Sequence, residues 1–105
     1  MKAPKETRQA GKVVGLRLYV VNQTASSQAA LRNAQKLCQQ QLPAWRLEVI
    51  DLLENPQRAH DDQILAIPTL VRHYPRPEKR VIGDLSQTAR VLAGLDLRAR
   101  EEGCE

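Results

Sequence analysis

The sequence predicts a single α/β domain with the element order β-α-β-α-β-β-α. Two observations predict this class: four short apolar segments have the composition of strands, the first two of them with alternating apolar residues, and helical spacing or helix-start signals occur between and after them. A chain of 105 residues matches one domain and is long enough to form one core. With 42% apolar residues, no Phe and one Trp, that core must consist mainly of Leu, Val, Ile and Ala.

The first half of the chain has the pattern of a βαβ unit. Residues 16–21 alternate and are rich in strand formers, which predicts the first strand. A helix is predicted over 28–41 because apolar residues recur there every three or four positions, and this places Cys38 on the buried face. Pro43 ends the helix, and a second strand is predicted over 45–50. One crossover helix between two strands predicts parallel pairing.

A short second helix is predicted to begin at Pro56, because proline is favoured at the first helical position. We expect it to run through Leu65, with Ile64 or Leu65 facing inward. His60, Asp61 and Asp62 are expected to face solvent. They do not predict a metal site, because consecutive residues of a helix do not converge on one ion.

The stretch 64–85 combines a proline junction with two predicted strands. The Ile67-Pro68 bond lies directly before a strand, so Pro68 is a candidate cis-proline. Strands are predicted at 70–71 and 80–82, joined by a bend that contains Pro75 and Pro77. With so few residues between them, these strands are expected to be antiparallel.

The final helix is predicted to be capped by Ser86. Gly94 lies near its middle, where glycine costs about 1 kcal/mol relative to alanine. The segment from Gly94 to Asp96 is therefore expected to be a weakened or ending helix.

The predicted domain spans residues 13–97, after a flexible leader at 1–12 and before a charged tail at 98–105. No apolar run has the length that spans a bilayer, and the first residues lack the apolar stretch of a signal peptide. We therefore expect a cytoplasmic protein without membrane contact. In that compartment Cys38 and Cys104 are expected to be free thiols.

The net charge of +4 and the pI near 9.4 permit an anionic partner without requiring one. Nucleic-acid-binding proteins concentrate basic and aromatic residues on one surface. Here the charges are spread, apart from a cluster at 72–80, so no nucleic-acid partner is predicted. Arg72, Lys79 and Arg80 are the candidate partner-binding residues, since arginine is a common interface anchor. Charged runs are also common on surfaces that bind nothing.

The element order, with a candidate cis-proline before the third strand, is typical of a thioredoxin-like domain. A redox member needs a low-pKa cysteine at the first helix start and a second cysteine three residues later. Residues 24–27 read Thr-Ala-Ser-Ser, and hydroxyls cannot exchange disulfides. His60 and His73 have no metal-ligand spacing. No cofactor and no catalytic residue is predicted, which favours a binding module over an enzyme that uses Cys38 or Cys104.

Several segments, in this order and spacing, resemble the KaiB family of circadian clock proteins over about 16–97. They are Leu16–Val20, the loop Thr24–Ser27, Val49–Leu52, Asn55-Pro56, Ile64–Leu70 and Arg80–Ser86.

The resemblance implies a non-enzymatic regulator that binds a KaiC-like hexameric ATPase and autokinase and modulates its phosphorylation state. It also implies KaiA and clock histidine kinases as further partners. Members of this family occupy two folds. A ground state, usually a homotetramer, keeps the βαβ half and rearranges the second half, whereas a rare monomeric state is thioredoxin-like and binds KaiC.

On this resemblance, five residues are expected to be fold-switch or structural positions: Pro68, Gly83, Asp84, Gly94 and Asp96. Fold switching requires two packings within a few kcal/mol of each other. The short apolar segments and the prolines of the second half make its packing less decisive than that of the first half. The alternative is one thioredoxin-like fold with a mobile bend.

Some features depart from the usual family pattern. The bend 73–78 is more polar, the leader is long, and the acidic tail is short and partly basic. These departures support an alternative role as a KaiA-independent homologue in timing or stress response. A further alternative is a redox-inactive thioredoxin-like binding module.

Overall fold

The structure, a computed structural model, describes residues 13–21 and 24–97. The predicted leader at 1–12 and the predicted tail at 98–105 lie outside these residues. Seven elements occur in the predicted order: β1 (Val14–Val20), α1 (Ala25–Gln41), β2 (Trp45–Asp51), α2 (Pro56–Asp61), β3 (Thr69–Tyr74), β4 (Lys79–Ile82) and α3 (Thr88–Gly94).

The strands form one four-stranded sheet with the order β2-β1-β3-β4. β1 pairs with β2 in parallel, and β3 is antiparallel to both β1 and β4. Both predictions of strand direction are therefore confirmed. One row across the sheet runs from Glu48 through Arg17 and Val71 to Arg80. Because side chains in register share a face, this row lies on one side of the sheet.

Apolar residues pack on both faces of the sheet, because β1 is central and its side chains alternate between the faces. On the first face, Leu16, Leu18 and Val20 pack in a core with the buried residues of α1 and α3. On the second face, Tyr19 packs in a smaller core around α2. The predicted core of Leu, Val, Ile and Ala is confirmed. The buried members of the smaller core are Tyr19, Ile50, Leu52, Ile64 and Val71.

α1 begins at Ala25, three residues before the predicted start. Its N-cap is Thr24, whose Oγ1 accepts a hydrogen bond from the Ser27 N–H at 3.1 Å. A capping hydroxyl satisfies one of the free N–H groups of the first turn. Residues 25–27, which were predicted to lie in the loop because they lack apolar spacing, therefore form the first turn of α1.

The predicted extension of α2 to Leu65 is wrong. The helix ends at Asp61, and Gln63 then adopts a φ of 59°, which breaks the helical path. Of the two candidate inward residues, Ile64 is buried, whereas Leu65 is 95% exposed. Asp62 was expected to face solvent, but it is only partly exposed, since its carboxylate accepts a hydrogen bond from the buried Tyr19 hydroxyl.

The start of α3 differs by one residue from the prediction. Gln87 occupies the N-cap position, without a side-chain cap bond. Ser86 lies before it, and its N–H donates to Asp84 Oδ1 at 3.0 Å. The predicted cap by Ser86 is therefore wrong, and Asp84 stabilises the turn that precedes the helix. The helix ends within the segment from Gly94 to Asp96, as expected, but Gly94 is its last residue and does not lie near its middle.

Candidate partner-binding surface

The start of α1 holds hydroxyls where a redox protein of this fold needs thiols. Thr24 and Ser27 are both engaged: Thr24 Oγ1 donates to the Val21 carbonyl, and Ser27 Oγ accepts from the Val21 N–H at 3.0 Å. Ser27 is fully buried. These side chains cap the helix and tie it to the end of β1, so the position is structural.

Cys38 lies inside the main core on α1 and is fully buried. Burial raises the pKa of its thiol to about 12, because an apolar environment disfavours the thiolate. Nucleophilic chemistry requires the thiolate. Cys38 is therefore a packing residue, and Cys104 lies outside the described residues.

The loop between α2 and β3 presents apolar side chains at one end of the sheet. The peptide bond between Ile67 and Pro68 is cis, as the sequence predicted. Leu65 is 95% exposed, Ile67 40% and Ile82 63%. Ile82 lies beside this loop, because it pairs with Thr69 and because the adjacent Gly83 N–H donates to the Pro68 carbonyl. We call Leu65, Ile67 and Ile82 the apolar rim.

A hydrogen bond and a hollow define the surroundings of the apolar rim. Thr69 Oγ1 donates to the Ala66 carbonyl at 2.6 Å, which fixes the loop before β3. A hollow of about 650 Å³ adjoins the rim and is lined by Ala59, His60, Gln63, Ile64 and Leu65. Exposed apolar residues next to a concave surface are typical of a protein interaction site.

Arg80 holds the loop that carries the apolar rim. Its two terminal nitrogens donate to the Asp62 and Gln63 carbonyls at 2.7 Å each, and its Nε donates to Glu78 Oε2 at 2.7 Å. The carbonyls at a helix end lack intrahelical donors. Asp62 and Gln63 directly follow α2, so Arg80 supplies donors to the carbonyls just beyond the helix and joins this segment to β4.

A second polar network connects α2 to β1. The Tyr19 hydroxyl donates to Asp62 Oδ2 at 2.6 Å, and Arg58 Nε donates to the same oxygen at 3.1 Å. The bonds from Tyr19 and Arg58 lower the pKa of Asp62. The pKa of Tyr19 is raised by burial and then by the neighbouring carboxylate. The network therefore stabilises a charged carboxylate at the edge of the smaller core.

The three residues predicted as one basic surface lie on two sides of the sheet. Arg72 is 3% exposed, and its Nε donates to the Leu95 carbonyl at 2.6 Å. Lys79 pairs with Arg72 in the β3–β4 register and shares its face, whereas Arg80 is the next residue along the strand and points to the other side. In this fold Arg72 is a buried structural residue, which corrects its placement on a surface. Partner binding by Lys79 and Arg80 stays a prediction.

The predicted fold-switch positions other than Pro68 lie at the two ends of α3. Before the helix, Gly83 adopts a φ of 125°, and the Asp84 carbonyl accepts from Asn33 Nδ2 of α1 at 2.8 Å. At the other end, a Cβ on Gly94 would approach Val81 Cγ2 to 2.6 Å, and Asp96 has a φ of 56°. All four therefore have backbone or packing roles here, and their part in a second fold stays a prediction.

The sequence reasoning missed Tyr19, Asp62 and Leu65. Leu65 had a signal, since Ile64 and Leu65 are adjacent and only one of them can point into the core. Tyr19 lies opposite the leucines of β1 by strand alternation, which indicated a second buried face. The partner of its hydroxyl is 43 residues away in the chain, and no local pattern identifies it.

Among residues 13–21 and 24–97, no group of three or more His, Cys, Asp or Glu side chains is placed to hold a metal ion. Within the same residues, every helix is too short or too polar to cross a membrane.

The fold and the missing thiols define a thioredoxin-like domain without the redox pair. Comparison with solved structures shows the same fold. Mitochondrial thioredoxin 3 from Saccharomyces cerevisiae matches with a TM-score of 0.65 and 19% identity, covering 79% of this chain and 76% of that one. The N-terminal domain of SasA from Synechococcus elongatus matches with a TM-score of 0.63 and 21% identity, covering 77% and 80%.

The chain belongs to the KaiB family, since the KaiB domain model matches residues 17–97. The circadian clock protein KaiB3 of a Synechocystis species is 45% identical over 83 residues, which cover 78% of this chain and 81% of that protein. The circadian clock oscillator protein KaiB of a Nostoc species is 45% identical over 94 residues, which cover 89% and 87%. The family resemblance inferred from the sequence is confirmed.

Proposed function

We propose that this chain is a non-enzymatic regulator of the circadian-clock type, which binds a KaiC-like ATPase and autokinase and modulates its phosphorylation state. The observation that carries the proposal is the apolar rim of Leu65, Ile67 and Ile82 in a chain of the KaiB family. A fold of this kind with hydroxyls at the redox position has no thiol chemistry to perform there. Its exposed apolar end then serves recognition rather than substrate reduction.

The apolar rim has the composition of a binding surface. Its three side chains belong to two elements that Arg80 joins, so the surface is ordered before a partner arrives. Ordering in advance lowers the entropy cost of association. Apolar anchors surrounded by polar groups are typical of the energetic centre of an interface. Gln63 and Arg80 supply such groups at the edge of the rim.

Binding to the purified KaiC-like ATPase of the source organism tests the proposal directly. Leu65→Ser should weaken the complex by roughly tenfold or more, as expected for an anchor residue, without loss of stability, because Leu65 is almost fully exposed. Tyr74→Ser is a matched control, since Tyr74 is also exposed but lies at the opposite end of the sheet. The phosphorylation state of the ATPase should change with wild-type protein and less with Leu65→Ser. If the ATPase is not bound with or without nucleotide, the proposal is wrong.

We also propose that the chain has a homo-oligomeric ground state in which the second half is rearranged. Support comes from membership of the KaiB family and from the short apolar segments and prolines of the second half. The hydrogen bonds from Tyr19 to Asp62 and from Asn33 to the Asp84 carbonyl join the two halves here and would have to break in that state. Light scattering at increasing protein concentration should reveal a tetramer or dimer. In that species, NMR contacts between Leu18 and Leu70, which pair in the thioredoxin-like sheet, should be lost. A monomer with this contact at every concentration would contradict the proposal.

The role of KaiA is a separate question within the same proposal. KaiA and clock histidine kinases are further candidate partners, and a KaiA-independent role in timing or stress response is the alternative. The polar bend around His73 and Arg76 supports the alternative. Reconstitution with the ATPase alone distinguishes the two, because a KaiA-independent protein changes the phosphorylation state without KaiA. We place all of these interactions in the cytoplasm.

A further inference from the structure

The face of the sheet that carries α2 is only partly covered. α2 and the loop after it pack over Tyr19 and Val71. The other half of this face is open and contains a hollow of about 760 Å³, lined by Arg17, His73, Arg76, Pro77 and Glu78. We call it the arginine hollow. It lies toward the start of β1 and the bend after β3, at the opposite end from the apolar rim.

The floor of the arginine hollow is built by a glycine and a histidine. Gly15 has no side chain, and the His73 ring occupies the space above it. A Cβ on Gly15 would lie 2.8 Å from His73 Cε1 and 3.0 Å from Nε2. The imidazole therefore packs against the backbone of Gly15 on the surface of the sheet and is half-buried.

Arginines outnumber carboxylates around the arginine hollow. The carboxylate of Glu48 pairs with Arg17 Nε at 3.2 Å, and that of Glu78 pairs with Arg80 Nε at 2.7 Å. Arg17 lines the arginine hollow, and its guanidinium also has a side-chain hydrogen bond with Tyr19. Arg76 is exposed at the bend and adds a further positive charge.

The charges around His73 are of both signs. Burial lowers the pKa of the imidazole most, and Arg17 and Arg46 lower it further, whereas Glu48 and Glu78 act in the opposite direction. Among these charges Arg17 has the largest effect, so a guanidinium that lines the hollow acts directly on the imidazole.

We propose that the arginine hollow binds a small phosphate-bearing anion, held by the guanidinium groups of Arg17 and Arg76 above the His73 ring. A planar guanidinium fits a phosphate through two parallel N–H···O bonds. The volume is in the range of small-molecule sites. The site is concave, which favours a small ligand over an acidic protein segment. The proposal does not depend on partner binding at the apolar rim.

The two histidines of the chain provide the probe. His73 lies in the arginine hollow, whereas the exposed His60 lies on α2 beside Asp61. In an NMR titration, inorganic pyrophosphate should shift the His73 ring signals and raise the pKa of His73, because a bound anion stabilises the imidazolium. The His60 signals should stay nearly unchanged and serve as the internal reference.

Charge-removing variants then locate the anion. Arg76→Gln should weaken pyrophosphate binding by about tenfold, the effect of losing one hydrogen bond to a charged group. Arg32→Gln is the matched control, since Arg32 is exposed on α1 and therefore lies across the sheet. ADP and pyrophosphate are compared next. Equal affinity identifies the phosphates as the whole recognition element, and tighter ADP binding identifies a nucleotide ligand.

Three results would overturn the proposal. The first is the absence of a selective His73 shift with pyrophosphate up to about 10 mM. The second is equal affinity of Arg76→Gln and wild-type protein for pyrophosphate. The third is binding of an acidic peptide without binding of pyrophosphate, which would make this face a protein contact instead.

Discussion

Removing the hydroxyl of Tyr19 tests whether the network around Asp62 stabilises the thioredoxin-like arrangement. Tyr19→Phe keeps the buried ring and deletes only the donor that lies 2.6 Å from Asp62 Oδ2. A hydrogen bond to a charged group contributes about 1.5–3 kcal/mol. We expect the lower end, about 1.5 kcal/mol, because Asp62 keeps its bond from Arg58 and part of its solvent contact.

The effect of pH on this variant has a definite sign. The pKa of Asp62 is lowered in the folded protein, so its contribution is present above the usual aspartate pKa of 3.8 and is lost as pH falls through the lower folded value. The difference in stability between wild type and Tyr19→Phe should therefore be largest near about pH 7 and should shrink toward about pH 3.

Urea unfolding followed by circular dichroism, repeated at several pH values, measures this difference. About 1.5 kcal/mol corresponds to a decrease in Tm of roughly 6–12 °C for a domain of this size. Tyr74→Phe is the matched control, because Tyr74 is exposed and its change should lie within about 0.5 kcal/mol of zero. A loss in Tyr19→Phe no larger than in this control, or one independent of pH, would refute the reasoning.

Two further predictions follow from Arg80 and Cys38. Arg80→Gln removes the donors to the Asp62 and Gln63 carbonyls, so amide hydrogen exchange in the loop after α2 should accelerate by about tenfold or more, whereas in Lys79→Gln it should not change. Unaltered exchange in Arg80→Gln would contradict the conclusion that Arg80 holds the loop after α2. In a Cys104→Ser background, Cys38 should react with a thiol reagent at least about tenfold more slowly in the native state than in urea, since it is fully buried and burial raises its pKa. Equal rates in the two states would show that Cys38 is accessible.

Much of the fold could be predicted because the strongest periodic signals lie in the parts that are buried most deeply. The alternating residues of β1 and the helically spaced residues of α1 pack in one core on the same face of the sheet. The ends of elements were less predictable. The end of α2 depends on the left-handed conformation of Gln63, which its residue type does not announce.

The candidate site was only partly predictable for a different reason. The basic cluster was read as a contiguous surface, although Lys79 and Arg80 are adjacent in a strand and must point to opposite sides. The burial of Arg72 depends on the Leu95 carbonyl at the end of α3, a contact between distant elements. The apolar rim likewise exists only once β4 lies beside the loop that follows α2.

The position of β1 in the sheet has a consequence for how the molecule can be divided. One edge of β1 pairs with β2 inside the first half of the chain, and its other edge accepts β3 from the second half. A chain cut in the exposed turn at Leu53 and Glu54 would leave a βαβ fragment with an open strand edge that matches β3. The chain thus divides into two complementary fragments. Reassembly of the fragments requires pairing of β1 with β3, so a split reporter attached to them would measure formation of that pairing.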